Sequence, residues 1–229
     1  MPRQSISVQA IIFDMDGVIT NTMPDHFHSW KTVLKDIGIL VTHYDIYCRE
    51  GQPGIRSVKE ISSQYGKTVS KQQARRILRK KEVFFKKIVR SRFITGARTL
   101  VKKLYRDKFR LAMVTGTSRH EMERILPESL RKLFEVIVTG NDVRHGKPHP
   151  EPYLKSLRKL NLESTQAVTI ENAPFGIESA KKAGLRCLAL ETSLPREYLK
   201  GADAVFASIH ELERGVHFHN ASQSSKNRL

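Results

Sequence analysis

Cysteine, tryptophan and acidic side chains are all scarce in this chain. Its two cysteines, Cys48 and Cys187, stand far apart among 229 residues and belong to no spaced motif. That excludes a disulfide framework or a cysteine-ligated zinc site and fits unpaired thiols in a reducing compartment. Long apolar runs are missing too. None approaches the ~20 residues that cross a bilayer. The most hydrophobic opening stretch, Val8–Phe13, is cut by Asp14 and Asp16 and is too short for a signal-peptide core. The expectation is a soluble, cytoplasmic protein with no membrane span. Acid is the largest deficit: 23 Asp and Glu face 40 Lys and Arg, for a net charge of +17. Residues 71–110 carry most of the excess, with sixteen basic residues against Glu82 and Asp107. Such a field draws anions, whether phosphate esters, nucleic acid or an acidic membrane, and says nothing about fold.

Short apolar, β-branched runs of the kind found in buried parallel strands occur at Val8–Phe13, Arg110–Val114, Phe134–Val138, Gln166–Ile170, Arg186–Leu190 and Asp203–Phe206. Helical patterns alternate with them at Arg119–Leu126, Glu151–Leu160 and Pro174–Ala183, the last with Pro174 in its first turn and Gly184 at its stop. This is the βαβ rhythm of a doubly wound α/β sheet. One interruption stands out. After the first strand the chain reads as helical at Asp25–Ile37, Ile55–Gln64 and Lys71–Val89, with a turn at Gly51, Pro53 and Gly54. The expectation is an α/β core of residues 1–21 and 95–229, carrying a helical insert of residues 22–94. The polar tail from Gly215, about residues 215–229, lacks an apolar period and reads as flexible.

Open α/β sheets place their sites beyond the carboxyl ends of the strands. Those positions hold Asp14 and Asp16 followed by Gly17; Thr115 followed by Gly116 and Thr117; Lys147 between Gly146 and Pro148; and Glu171 with Asn172. The set suits phosphoryl transfer. A carboxylate attacks a phosphate dianion only where charge is screened, and a hard cation with oxygen ligands, Mg²⁺ by default, does this. Asp14 is placed to attack phosphorus. Asp16 is placed to protonate the leaving oxygen and then to activate water. Thr115 and the following N–H groups are placed to hold phosphate oxygens, and Lys147 to offset charge. Ser118 and Glu121 read as a capping box for the next helix.

In this order, Asp14-Met15-Asp16-Gly17-Val18, Thr115, Lys147-Pro148 and Glu171-Asn172…Gly176…Ala183-Gly184 resemble the four motifs of the haloacid dehalogenase superfamily, and the likeness spans nearly the whole chain. Asp16–Trp30 is most similar to the branch of β-phosphoglucomutase and phosphoglycolate phosphatase. The resemblance implies a Rossmann-like core and a helical cap that closes over a phosphorylated small molecule. It also implies Mg²⁺ held by Asp14, the Asp16 carbonyl and the pair after the fourth core strand. Two departures are visible. Glu171-Asn172 replaces the commoner acidic pair, leaving open whether Glu171 or Asn172 meets the metal. The cap loop reads Gly51-Gln52-Pro53-Gly54 where the mutases carry a phosphate-gripping arginine, which favours hydrolysis.

His26, at the start of the first cap helix, either orients Asp16 or touches substrate, or is simply packed. His145 and His149 read as loop residues. Rival readings are a phosphomutase of the same fold and a polyanion- or nucleic-acid-binding protein with a residual site. The second rests on the basic 71–110 segment, whose few interleaved aromatics give little platform for base stacking. Neither the substrate nor the oligomeric state is written in the sequence.

Overall fold

The computed structural model describes residues 3–224. Two strands, β1 (Gln4–Val8) and β2 (Ala10–Phe13), are followed by four helices: α1 (Met23–Lys35), α2 (His43–Tyr47), α3 (Gly54–Gln64) and α4 (Lys71–Ile88). The chain continues through α5 (Ala97–Arg106), β3 (Arg110–Val114), α6 (Arg119–Ile125), α7 (Glu128–Arg131), β4 (Val136–Val138), α8 (Glu151–Leu160) and β5 (Ala167–Glu171). It ends with α9 (Pro174–Lys182), β6 (Arg186–Leu190), β7 (Ala204–Phe206), α10 (Ile209–Gly215), β8 (Val216–Asn220) and α11 (Ala221–Ser224).

Six strands form one parallel sheet in the order β4-β3-β2-β5-β6-β7. β2 lies inside it with all four residues buried, as a strand covered by helices on both faces must be. From β2 the chain steps out to β3 and β4, then returns to the other side of β2 for β5. The direction reverses at β2, so the crevice of this α/β sheet opens at the carboxyl end of that strand, where Asp14 follows.

The helical insert takes the form expected of a cap: α1–α4 lie between β2 and β3. The entering and leaving segments are tied together, with Ile94 N–H donating to Ile19 C=O at 3.0 Å and Asn21 N–H to Arg92 C=O at 2.9 Å. α4 begins with Ser70 and Gln73 in a reciprocal capping box and buries Ala74, Ile77, Lys81 and Phe85 on one face. The other basic side chains of α4 and α5 point outward.

Two expectations need correction. The first strand is two strands, broken at Gln9, and β1 leaves the main sheet to pair with β8 in a separate two-stranded parallel sheet. The stretch Gly215–Ser224, expected to lack regular structure, forms the end of α10, β8 and α11. Val216 is buried and Phe218 packs edge-on to Phe109, with ring centroids 6.3 Å apart. The reason is tertiary. A polar strand of period two is held by a ladder partner more than two hundred residues away (Gln4 opposite Val216), which no local pattern reveals. Residues 225–229 of the expected tail lie outside the described residues.

Candidate active site

Four strand ends meet in one buried cluster. Phe13 pairs with Met113 on one side and Ile170 on the other, so the residues just beyond β2, β3 and β5 are brought side by side. Asp14, Asp16, Thr115, Thr117, Lys147, Glu171 and Asn172 are all buried. Lys147 reaches in from the loop after β4. Its Nζ donates to Asp14 Oδ1 and to Glu171 Oε1, each at 2.6 Å. Tyr153 on α8 gives its hydroxyl to the same Glu171 oxygen, and Asn172 N–H donates to Glu171 Oε2 at 3.0 Å. Burial works against the Lys147 charge, but the Asp14 and Glu171 carboxylates outweigh it and hold the proton well above the ordinary lysine range. Asp14 is pushed well up by burial. Lys147 opposes that push, while Glu171, Glu50 and Asp16 add to it.

Asp16 is held differently. Thr22 donates to Oδ1, and Thr117 and Thr115 donate to Oδ2 at 2.8 and 3.2 Å. His26 Nε2 stands 3.5 Å from Oδ1. Burial would raise this carboxyl, but His26, Thr22 and Thr117 hold it down at about 2. The arrangement shapes the local chain. Thr22 stands at the N-cap of α1 yet makes no cap hydrogen bond, because its hydroxyl serves Asp16. Thr115 and Thr117 likewise face Asp16, and the Thr117 N–H is taken by Thr115 Oγ1 at 3.0 Å. Gly17 has φ +92°, and a Cβ there would fall 2.0 Å from Asn172 Nδ2, so the turn after Asp16 both needs glycine and packs on Asn172.

The sequence reading missed three participants. Lys81 is buried on α4, with Nζ 3.1 Å from His26 Nδ1 and 4.4 Å from the centre of the Phe85 ring. The His26 imidazole is thus held between Lys81 and Asp16, with Nε2 3.5 Å from Asp16 Oδ1, and stacks on Phe85 at 4.1 Å. The signal of Lys81 was present in the sequence: it is the one basic residue in phase with Ala74, Ile77 and Phe85. The second is Tyr153, the hydroxyl partner of Glu171. The third is Glu50, for which no local pattern speaks.

The cap is seated on the core. Gly51 has φ +78°, and a Cβ there would lie 2.3 Å from Lys147 Cδ; one on Gly116 would lie 2.4 Å from Gly51 Cα. Phe175 N–H donates to the cap carbonyl of Cys48 at 3.1 Å. Between the two parts lies a cavity of about 300 Å³, lined from the core by Thr115, Thr117 and Lys147 and from the cap by His26, Glu50 and Lys81. Ser118 and Glu121 form only half of the expected capping box. Ser118 accepts from Glu121 N–H, but the carboxylate takes the Ser118 hydroxyl at 3.0 Å in place of a backbone N–H. His145 and His149 behave as loop residues. His145 Nδ1 lies 3.0 Å from Glu151 Oε2, and His149 Nδ1 accepts from Glu151 N–H at 3.1 Å.

A buried lysine bridging two carboxylates, beside a third carboxylate ringed by hydroxyls, at the switch point of a parallel sheet and beneath a helical cap, defines a capped α/β hydrolase. The chain belongs to the haloacid dehalogenase-like hydrolase family, which matches residues 11–190. It is 32% identical over 186 residues to the phosphorylated carbohydrates phosphatase of Thermotoga maritima, covering 78% of this chain and 82% of that protein. It is 26% identical to the beta-phosphoglucomutase of Bacillus subtilis, over 90% of this chain and 92% of that one. Among solved structures, CbbY from Rhodobacter sphaeroides in complex with phosphate superposes with a TM-score of 0.73 at 26% identity, over 91% of this chain and 97% of that one. The family and these relatives make the chain a hydrolase acting on phosphate esters, of a kind that includes phosphatases and a phosphomutase.

Proposed function

We propose that the protein is a Mg²⁺-dependent phosphatase that hydrolyses a phosphate monoester of a small metabolite through an aspartyl phosphate on Asp14. The observation that carries this reading is that two of the buried oxygens without a hydrogen-bond partner among the described residues, Asp14 Oδ2 and Asn172 Oδ1, stand just beyond neighbouring strand ends. Both are hard oxygen donors, which is the ligand chemistry Mg²⁺ takes. Both Glu171 oxygens are engaged, by Lys147 and Tyr153 and by the Asn172 N–H, so this reading assigns direct contact to Asn172 and charge to Asp14. The Asp16 carbonyl is the further ligand implied by family likeness. When bound, the ion screens the charge between the attacking carboxylate and the phosphate.

Asp14 supplies the nucleophilic oxygen, and Lys147 neutralises charge on it and on the transferring group. Asp16, held at about 2, is ionised at neutral pH and enters as a base toward the water that cleaves the aspartyl phosphate. Its role as acid in the first step requires a proton gained on substrate binding, when the Thr115 and Thr117 hydroxyls turn to the phosphate. The cavity of about 300 Å³ supports a small substrate. The carbohydrate phosphatase from T. maritima supports a sugar-like one.

Inorganic phosphate release is expected across a panel of phosphorylated metabolites with Mg²⁺ and not with EDTA. Release that ignores EDTA would remove the metal from the reading, and no release from any compound would remove the phosphatase. The mutase reading is favoured by the B. subtilis relative and by likeness to solved structures provisionally described as beta-phosphoglucomutases. Against it, Gln52 occupies the loop where an arginine would be needed, and its amide is tied to Glu60 and Ser57 at 2.9 and 2.8 Å.

Replacing Asn172 with Asp is expected to lower the Mg²⁺ concentration for half-maximal activity by about tenfold, because a charged ligand replaces a neutral one. Without metal the same variant adds a fourth buried carboxylate to Asp14, Asp16 and Glu171. Its melting temperature should therefore fall in EDTA and recover with Mg²⁺ more than that of the parent protein. Equal Mg²⁺ dependence in the two proteins would take Asn172 out of the metal site.

A further inference from the structure

Beyond the phosphate-handling end, the cavity presents carboxylates. Glu50 precedes the glycine that seats the cap on the core and lines the cavity in a buried position. Among the described residues nothing donates to its carboxylate. Burial raises its pKa and Asp16 adds to the rise, while His26, Lys147 and Lys81 oppose it. Facing the same cavity from the core, Glu121 turns Oε2 to Ser118 and leaves Oε1 buried and without a partner among the described residues. Carboxylates from opposite walls thus line one space, and a buried acceptor left unpaired, as Glu121 Oε1 is, is costly.

The neighbouring cations are largely engaged, although the buried Arg49 Nε has no hydrogen-bond partner among the described residues. Arg49 donates to Asp45 C=O at 2.8 Å and to Gln64 at 3.0 Å. Lys147 is shared by Asp14 and Glu171. Lys81 lies against His26 and the Phe85 ring. Arg144 is exposed at the mouth. The complement of such a wall is a donor-rich group, and its opposite is a second anion.

We propose that Glu50, aided by Glu121, is the specificity-determining residue of the pocket. It accepts hydrogen bonds from hydroxyl or amino groups on the non-phosphate half of the substrate and turns away esters that carry a carboxylate or a second phosphate there. This inference rests on the phosphatase reading and narrows it. Polyol, sugar and amino-sugar monophosphates fit the wall; phosphoglycolate and bisphosphates do not.

The test is a matched pair, glycerol phosphate and phosphoglycerate, which share a carbon skeleton and differ in a hydroxymethyl group against a carboxylate. With the full chain, kcat/KM is expected to favour glycerol phosphate by roughly tenfold or more, since a site with buried acceptors discriminates strongly by hydrogen-bond complementarity. Glu50→Gln keeps the size and removes the charge. It should shrink that ratio by at least about fivefold, with phosphoglycerate turnover rising relative to glycerol phosphate. The ratio is taken on one preparation, so partial misfolding of the variant does not affect it. A ratio of one or less in the parent protein, or a ratio unchanged by Glu50→Gln, overturns the inference. Para-nitrophenyl phosphate serves as a third substrate. If it is hydrolysed while the ratio fails, the selectivity alone falls. If none of the three releases phosphate, the phosphatase reading falls with it.

Discussion

Asp14→Asn is expected to reduce phosphate release by roughly 10⁴-fold or more while leaving the protein folded. The amide fills the same volume but offers no anionic oxygen to phosphorus. Folding should tolerate the change for an electrostatic reason. Asp14 is buried among Glu171, Glu50 and Asp16, all of which repel its charge, and only Lys147 attracts it. With a neutral residue there, Lys147 keeps Glu171 as its counterion at 2.6 Å. Thermal unfolding in EDTA should therefore give a melting temperature no lower than that of the parent by more than a few degrees. A variant that keeps substantial turnover would dismiss Asp14 as nucleophile. One that fails to fold would show that its charge is structural.

Lys147→Met carries the second large effect, and here both stability and turnover should fall. Methionine keeps the length of the stem and removes the charge shared by two buried carboxylates. Breaking a buried pair by removing one partner costs about 3–5 kcal/mol, because the remaining charge is left uncompensated. For a chain of this size that corresponds to roughly 6–20 °C in melting temperature. Turnover should drop by about 10²–10³-fold with the loss of a preorganised cation. Mg²⁺ should restore part of the stability and little of the rate, since the ion screens Asp14 but not the position Lys147 holds. Arginine is not expected to rescue. The Lys147 stem already lies so close to the cap loop that a Cβ on Gly51 would sit 2.3 Å from its Cδ. A melting temperature unmoved by Lys147→Met would mean that the carboxylates relax into neutral forms without it.

The residues of the cluster that end strands were legible in the chain. Asp14, Thr115 and Glu171-Asn172 each follow a short apolar run, and parallel strands in this topology must deliver their carboxyl ends to one edge. Lys147 was legible from its place in the order. Lys81 was half legible. Its phase with Ala74, Ile77 and Phe85 was written in the helix, but sixteen basic residues in one segment hid the one that points inward. Glu50 was not legible, since nothing near a Gly-Gln-Pro-Gly turn says which side chain enters a cavity. Nor was the ordered Val216–Asn220 strand, whose partner Gln4–Val8 lies at the other end of the chain.

By itself, then, the sequence determined the elements and the chemistry at strand ends: the sheet strands, the helical insert and the set of carboxylates, hydroxyls and lysine. These follow from periodicity and from the position of each residue along its own element, which are local properties. Only the tertiary structure decided which of those groups are engaged and which face open space. It turned Thr22, Thr115 and Thr117 onto Asp16, gave Glu171 to Lys147 and Tyr153, left Asp14 Oδ2, Asn172 Oδ1 and Glu121 Oε1 without partners among the described residues, and set Glu50 in the cavity wall. Hydrogen-bond partnership and desolvation depend on groups that approach from distant parts of the chain, so they come into being only when the chain has folded.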